Sequence, residues 1–219
     1  MTDSSGAAAL VMARAPRIAL LGGTFDPPHL AHLALAHAAL TALPADEVRW
    51  IPAGEPWQKM RPGARAITPA VHRVAMVEAA ITGAGGDRRF TLDRIEVERS
   101  GPSYTLDTVK ALAEHEPGRE WILVMGADQY AGLHTWHGWR ELLARVTLAV
   151  ANRPGAETSA PAPEVQAHPH RVVPLPMLDV SAAEIRRRAG AGIDITDLVP
   201  AEVAGYIARH GLYRHPGRG

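Results

Sequence analysis

Two histidines that follow a pair of glycines form the part of this sequence best suited to chemistry. Residues 22–32 read GGTFDPPHLAH, after an apolar run that ends at Leu21 and before a run rich in alanine and leucine. This order predicts a strand, a glycine turn and the start of a helix. Glycines adopt positive φ and let a ligand approach the backbone, and helix N-termini favour negative charge. Because positions i and i+3 share one helix face, His29 and His32 are predicted to contact one phosphate-bearing ligand.

The same residues allow two other interpretations. Paired glycines are common in ordinary turns, and a histidine pair can also contribute to a zinc site. The HxxH spacing lacks the HExxH register, no third ligand is evident, and the chain contains no cysteine. The full string, in the right order after a strand, therefore favours phosphate binding.

The elements that must position this corner alternate between strands and helices. Strand-like runs are predicted at 17–21, 47–51, 90–97, 121–125, 147–151 and 172–176. Helices are predicted at 30–43, at 71–81 with Thr68 as N-cap and Pro69 at the first position, at 181–189 with Ser181 as N-cap, and at 201–210. This alternation is typical of an α/β fold, a Rossmann-like open, mostly parallel sheet with helices on both faces. Ligands bind beyond the carboxyl ends of such strands, where segments 22–32, 52–59 and 126–128 are predicted to lie.

The composition limits the classes of partner. Lysine plus arginine and aspartate plus glutamate both number 23, so no global positive charge favours nucleic acid or an acidic membrane. The absence of cysteine excludes disulfides, a thiolate zinc site and a cysteine nucleophile, and it fits a cytoplasmic protein. The composition therefore predicts no nucleic-acid or membrane partner and leaves a small anionic ligand open.

The chain is predicted to form one domain. Its 219 residues, of which 47% are hydrophobic, are enough for a single sizeable core. Residues 1–15 are predicted to be a disordered tail and 16–215 the domain. A flexible excursion is predicted at about 153–170, because this segment is rich in Pro, Ala and Glu and has no apolar period.

Several motifs together resemble a known family. The string ending in His29 and His32 is similar to the HxGH mark of the nucleotidyltransferase superfamily with the class I aminoacyl-tRNA synthetase-like fold. Within that superfamily, the chain looks like the bacterial nicotinate mononucleotide adenylyltransferases from Ile18 to about Tyr213. The matching segments are PWQK at 56–59, HR at 72–73 with Met76, SYTLDT at 103–108, GAD at 126–128, Trp136, and SAAEIR at 181–186.

The resemblance implies a reaction and a set of site residues. The adenylyl group of ATP would pass to nicotinate mononucleotide, giving nicotinate adenine dinucleotide and pyrophosphate in NAD biosynthesis. Catalysis would fall to His29, His32, Lys59 and Arg186. ATP would contact Gly22, Gly23, Thr24, Phe25, His29, His32, Gly126, Asp128, Ser181 and Arg186, and the mononucleotide would contact Lys59, Tyr104, Thr105 and Trp136. Mg²⁺ would bridge phosphates without dedicated protein ligands, and the oligomeric state stays open, a homodimer included.

Each of these residues also has an ordinary structural interpretation. Lys59 could be a solvated surface lysine, and Asp128 could cap the next helix. Ser103 and Thr105 are good helix caps and Asp107 suits a first turn, while Trp136 and Trp139 are spaced for helix packing. Trp139 is assigned to packing.

The sequence departs from the family pattern at three alanines, and alternatives remain. Ala31 stands where HxGH has glycine, and Ala182 and Ala183 replace residues that usually include a hydroxyl. The alternatives are adenylyl or cytidylyl transfer to another phosphate acceptor, such as phosphopantetheine, and a nucleotide-binding sensor without catalysis.

Overall fold

A six-stranded, wholly parallel sheet forms the centre of the molecule. The computed structural model describes residues 14–59, 63–152, 159–176 and 178–214. The strands are β1 (Arg17–Gly23), β2 (Glu47–Pro52), β3 (Phe90–Leu92), β4 (Glu120–Gly126), β5 (Thr147–Asn152) and β6 (His170–Pro174). Their order in the sheet is β3-β2-β1-β4-β5-β6, so the chain reverses direction across the sheet between β1 and β4. Ligands of open α/β sheets bind at such a reversal.

Helices cover both faces of this sheet. They are α1 (Leu30–Ala42), α2 (Ala70–Gly83), α3 (Ile95–Glu98), α4 (Thr105–His115), α5 (Ala127–Ala131), α6 (Trp139–Leu143), α7 (Pro163–Gln166), α8 (Ala182–Gly190) and α9 (Ala201–Arg209). Two short 3₁₀ turns lie at Trp57–Lys59 and Leu133–Thr135. The predicted fold class, an open parallel sheet between helices, is confirmed.

The core contains one cluster of apolar side chains on each face of the sheet, because successive side chains of a strand point to opposite faces. In β1, Ile18 and Leu20 join a cluster with α4 and α6, whereas Ala19 and Leu21 join a cluster with α1 and α2. Successive side chains of a strand point to opposite faces, so a strand buried on both sides reads as a continuous apolar run. A third cluster joins α2, α8 and α9 through residues such as Met76 and Ile207.

Several predicted boundaries differ from the structure. The strand expected at 90–97 ends at Leu92, because the Asp93 carboxylate accepts the amide of Ile95 at 2.9 Å and begins the turn into α3. Pro69, rather than Thr68, occupies the N-cap of α2. The last strand begins at His170, two residues before the predicted start.

The predicted domain limits are only partly covered by the described residues. Residues 1–13 and 153–158 lie outside them, so the tail and the first part of the excursion stay predictions. From residue 159 onward the excursion contains α7, whose Val165 is fully buried in the core. Among the helices that the structure describes, none is long and apolar enough to cross a membrane.

Candidate active site

A cavity of about 500 Å³ opens at the carboxyl ends of the central strands. Volumes of this size hold small-molecule ligands. Its walls include twelve of the fourteen residues predicted for the site: Gly22, Gly23, Thr24, His29, His32, Lys59, Tyr104, Thr105, Gly126, Asp128, Trp136 and Ser181. The topology therefore brings together side chains that come from six separate segments of the chain.

The glycine pair provides space rather than a special backbone conformation. Gly22 and Gly23 end β1, and neither has a positive φ, contrary to the prediction. A Cβ on Gly22 would meet nothing within 4 Å, whereas one on Gly23 would lie 3.0 Å from the Phe25 ring. The left-handed backbone falls instead on Phe25, at φ 50°. The missing side chains leave room for a ligand at Gly22 and for the aromatic ring at Gly23.

Phe25 packs against His32 and does not line the cavity. It was predicted to contact ATP, but it is only 2% exposed and is not among the residues that line the cavity. Its ring lies 5.0 Å from that of His32, in an edge-on arrangement, and 5.4 Å from that of Trp50. The Phe25 side chain thus fixes one side of the His32 imidazole.

The two histidines lie against each other at the start of α1. Their ring centroids are 3.8 Å apart, and His29, the N-cap, is 8% exposed. The backbone N–H of His29 donates to Nδ1 of His32 at 3.2 Å. A backbone amide can only donate, so Nδ1 is the acceptor and a neutral His32 ring carries its proton on Nε2. His32 therefore has an N–H donor at the ring position farther from its own backbone.

One amide of the first turn of α1 is engaged within the protein. The amide of Leu30, the first residue of α1, donates to the carbonyl of Leu198 at 3.0 Å. This hydrogen bond ties the start of α1 to the segment before α9.

Asp26 is the centre of a hydrogen-bond network beside the histidines. It is 4% exposed, and its carboxylate accepts the Tyr213 hydroxyl at 2.8 Å, the Thr68 amide at 3.3 Å, and a salt bridge from Arg65. Its backbone carbonyl accepts Nη1 of Arg186 at 2.7 Å. Burial raises the pKa of Asp26, but the hydrogen bonds from Thr68 and Tyr213 and the charge of Arg65 outweigh burial and lower it. Asp26 is therefore ionised at neutral pH.

Positive side chains surround this carboxylate. Partial desolvation lowers the pKa of Lys59, although its side chain is exposed at the cavity wall, and the charges of Arg186, Arg65 and Arg73 act in the same direction. Burial and Arg65 likewise lower the pKa of Arg186. Arg186 is not among the cavity-lining residues, yet its bond to Asp26 holds it beside the histidine corner. Crowded, partly desolvated cations of this kind favour a polyanionic ligand.

Arg73 joins three loops of the site. It is 1% exposed, and its guanidinium donates to the carbonyls of Thr68, Thr24, Ala53 and Gly54 at 2.9, 2.9, 2.6 and 3.1 Å. These carbonyls belong to the loops after β1 and β2 and to the segment before α2. A planar guanidinium has enough fixed donors for several carbonyls at once.

Aromatic side chains gather on the other side of the cavity. The rings of Tyr104 and His137 stack with centroids 4.4 Å apart, and Trp57 meets Tyr104 edge-on at 5.9 Å. Trp136 lines the cavity and also packs against the core cluster of α4 and α6, so both of its predicted roles are compatible with the structure. Trp139 packs against that cluster, as predicted.

Two hydrogen bonds fix α4 and the loop before it. The Glu96 carboxylate lines the cavity and accepts the Thr108 hydroxyl at 2.7 Å, and burial raises its pKa. The Ser103 hydroxyl accepts the amide of Glu55 at 3.2 Å and thereby ties two loops together. Tyr104 occupies the N-cap and Thr105 is the first residue of α4, so the segment is a helix start, as its structural interpretation predicted, although the cap is Tyr104 rather than Ser103 or Thr105.

Asp128 and Ser181 lie at helix starts, as predicted. Asp128 is in the first turn of α5 and accepts Nε2 of Gln129 at 3.1 Å. Ser181 caps α8, with its hydroxyl accepting the amide of Glu184 at 3.2 Å. Ala31 and Ala182 also line the cavity, so two of the three departures from the family pattern lie at the site itself.

Several residues of the site had no role predicted from the sequence. Arg73 lies in the matching segment HR at 72–73 and, three and four residues before Met76 and Val77, on the buried stripe of α2. Trp57 lies in the matching segment PWQK at 56–59, and His137 follows Trp136. Arg65 and Tyr213 gave no local signal. In the part of the chain that the structure describes, no group of three or more His, Cys, Asp or Glu side chains could hold a metal ion.

Comparisons with known proteins agree with this geometry. Residues 20–188 match the cytidylyltransferase-like family. The chain is 51% identical, over 93% of its length and 95% of the relative's, to a probable nicotinate-nucleotide adenylyltransferase of Methylibium petroleiphilum. It is 46% identical to one of Bordetella petrii, over 90% of this chain and 99% of that relative.

Solved structures share the fold at lower identity. The nicotinic acid mononucleotide adenylyltransferase of Plasmodium falciparum, complexed with NaAD, superposes with a TM-score of 0.73 at 18% identity. The match covers 90% of this chain and 97% of that one.

Proposed function

This chain belongs to the cytidylyltransferase-like family, among the nicotinate-nucleotide adenylyltransferases, and from that premise we propose how its cavity performs the reaction. The enzyme transfers the adenylyl group of ATP to nicotinate mononucleotide, and it releases nicotinate adenine dinucleotide and pyrophosphate. This reaction is a step of NAD biosynthesis. The relatives that carry this name are similar over nearly the whole chain.

The two nucleotides lie end to end across the reversal between β1 and β4. The phosphate of nicotinate mononucleotide attacks the α-phosphorus of ATP in line, a new P–O bond forms, and the bond to pyrophosphate breaks. The attacking phosphate is already anionic, so no protein nucleophile is needed and the obstacles are alignment and charge repulsion. The cavity supports both tasks, because His29, His32 and Lys59 all line it.

His29 and His32 bind the ATP phosphates and stabilise the charge that builds on the leaving pyrophosphate. In this proposal His32 donates to phosphate through Nε2–H, because its Nδ1 accepts the amide of His29. Lys59 and Arg186 neutralise part of the negative charge of the phosphates. The lowered pKa values of Lys59 and Arg186 reflect repulsion and desolvation that a polyphosphate would offset.

In this proposal Mg²⁺ would be held by the phosphates of ATP and not by side chains of the described residues. The described residues provide no carboxylate cage, and Asp26 is engaged by Tyr213, Thr68 and Arg65. That donor set fits an ion carried by phosphate oxygens and water. When bound, Mg²⁺ neutralises part of the phosphate charge.

The aromatic side of the cavity holds the acceptor. Trp136 stacks on the pyridine ring, and Tyr104 and Thr105 contact the mononucleotide at the start of α4. Asp128 accepts hydrogen bonds from ribose hydroxyls of ATP. The cytoplasmic location and a homodimeric state stay predictions.

The observation that carries the proposal is the convergence of the histidine corner, Lys59 and the aromatic cluster on one cavity, with Arg186 bound to Asp26 beside it. An acceptor panel tests it, with ATP and magnesium supplied to nicotinate mononucleotide, nicotinamide mononucleotide and phosphopantetheine in parallel. We expect pyrophosphate and nicotinate adenine dinucleotide in equal amounts from the first acceptor. Turnover with phosphopantetheine alone, or ATP binding without any pyrophosphate, would reject it in favour of the other acceptor or the sensor.

A further inference from the structure

The C-terminal segment of the described chain reaches back to the loop that precedes the catalytic histidines. Helix α9 ends at Arg209, and the chain then passes through Gly211 at φ 59° and Tyr213 at φ 68°. A left-handed backbone is unusual for a bulky residue and persists only where surrounding contacts hold it. The contacts of the Tyr213 side chain therefore stabilise this backbone conformation.

The Tyr213 hydroxyl is bound to the buried carboxylate of the site. It donates to Oδ1 of Asp26 at 2.8 Å and lies 3.9 Å from Sδ of Met76. These partners are 187 and 137 positions away in the sequence. The bond connects the end of the chain to the loop between β1 and α1.

Asp26 transmits this contact to the phosphate-binding side chains. Its carboxylate is fixed by Tyr213, Thr68 and Arg65, and its carbonyl is the acceptor for Arg186 at 2.7 Å. Because the carboxylate and the carbonyl belong to one residue, contacts that anchor the carboxylate also restrain the backbone that carries the Arg186 acceptor. Asp26 lies three residues before His29, so the same restraint extends toward the entry into α1.

We propose that Tyr213 is a positioning residue for ATP binding, which acts through Asp26 on Arg186 and on the histidine pair. Without the hydroxyl, the carboxylate keeps Thr68 and Arg65 but loses one of its three partners, so the backbone that carries the Arg186 acceptor is held less firmly. The inference rests on the proposed function, because it requires ATP at this corner.

A second tyrosine on the same surface provides a matched control. Tyr206 belongs to α9, is half-buried like Tyr213, and its hydroxyl lies 2.9 Å from Nδ1 of His72. Its hydrogen bond therefore also joins the C-terminal region to α2, but it does not involve Asp26. Tyr206→Phe removes a comparable bond outside the phosphate network.

The test compares Tyr213→Phe, Tyr206→Phe and the wild type by two measurements. Calorimetry gives the Kd of a non-hydrolysable ATP analogue with magnesium, and steady-state kinetics give KM for each substrate. For Tyr213→Phe we expect Kd and KM for ATP to rise about tenfold, as for loss of a hydrogen bond to a charged group. KM for nicotinate mononucleotide should stay within about twofold, and Tyr206→Phe should match the wild type in both measurements.

The outcomes separate this inference from the proposed function. An unchanged Kd for ATP in Tyr213→Phe, or an equal weakening in both variants, overturns the inference, because either result leaves only general packing. Asp26→Asn provides a second variant and should weaken ATP binding at least as much as Tyr213→Phe. Failure of the proposed function would instead appear in the wild type, as ATP binding without nicotinate adenine dinucleotide.

Discussion

Replacing Gly126 by alanine tests whether Asp128 holds a ribose of ATP. Gly126 is the N-cap of α5 with φ −75° and ψ 160°, a conformation that alanine adopts without strain. A Cβ built on Gly126 lies 2.6 Å from Oδ1 of Asp128, whereas real Cβ contacts stay above 3.0 Å. The substitution therefore displaces the carboxylate by at least about 0.4 Å and leaves the charge in place.

The expected cost follows from the hydrogen bond that the displaced carboxylate would weaken. A hydrogen bond to a charged group contributes about 1.5–3 kcal/mol, and about 1.4 kcal/mol corresponds to a tenfold change in affinity. Because the displacement weakens this bond without abolishing it, we expect KM for ATP to rise about tenfold. A ribose contact exists in both ground state and transition state, so kcat should stay within about threefold.

Gly132→Ala is the matched control for this experiment. Gly132 closes α5 at φ −93°, and the nearest atom to an added Cβ would be the carbonyl oxygen of Gln129 at 3.8 Å, an ordinary contact. Pyrophosphate release at varied ATP concentration measures both variants. The ribose role of Asp128 would be refuted if Gly126→Ala kept the KM of the wild type, or if both alanine variants raised it equally.

Further variants address the histidines, the buried arginine and the buried aspartate. His32→Ala should lower kcat by about 10²–10³-fold in a pyrophosphate assay while the thermal midpoint is retained, and near-normal turnover would reject its role. Arg73→Met should cost about 3–5 kcal/mol in urea unfolding because four carbonyls in buried or partly buried hydrogen bonds lose their donor, whereas Arg94→Met, in an exposed ion pair, should cost less than about 0.5 kcal/mol. Because the folded-state pKa of Asp26 lies below the ordinary 3.8, its stabilising contribution is complete above that value and lost as pH falls through the folded pKa. The unfolding free energies of the wild type and Asp26→Asn should therefore differ most near neutral pH, and this difference should shrink as the pH falls below 3.8; a constant difference would contradict this sign.

Local patterns predicted those features that depend on neighbours in the sequence. The apolar runs gave the strands and their burial, and the serine at 181 gave the start of α8. Gly22 and Gly23 line the cavity, but the predicted positive φ is absent, because a missing Cβ signals either positive φ or close space. The early end of β3 could have been predicted from Asp93, because aspartate strongly favours turns.

Contacts between distant segments could not be predicted in the same way. Arg73 reads as a basic residue on an apolar helix stripe, and only the fold shows that its donors reach carbonyls 5 to 49 positions away. Tyr213 and Asp26 meet only after the sheet has placed α9 beside α2. No periodicity encodes such pairs, because their spacing depends on the length of every element between them.

The carbonyls bound by Arg73 have a consequence for protein engineering. Since one side chain fixes two loops that come from different strands, neither loop is an independent module. Transplanting the segment after β2 into a scaffold with another specificity would require this arginine, its helix and the opposing loop to travel as one unit.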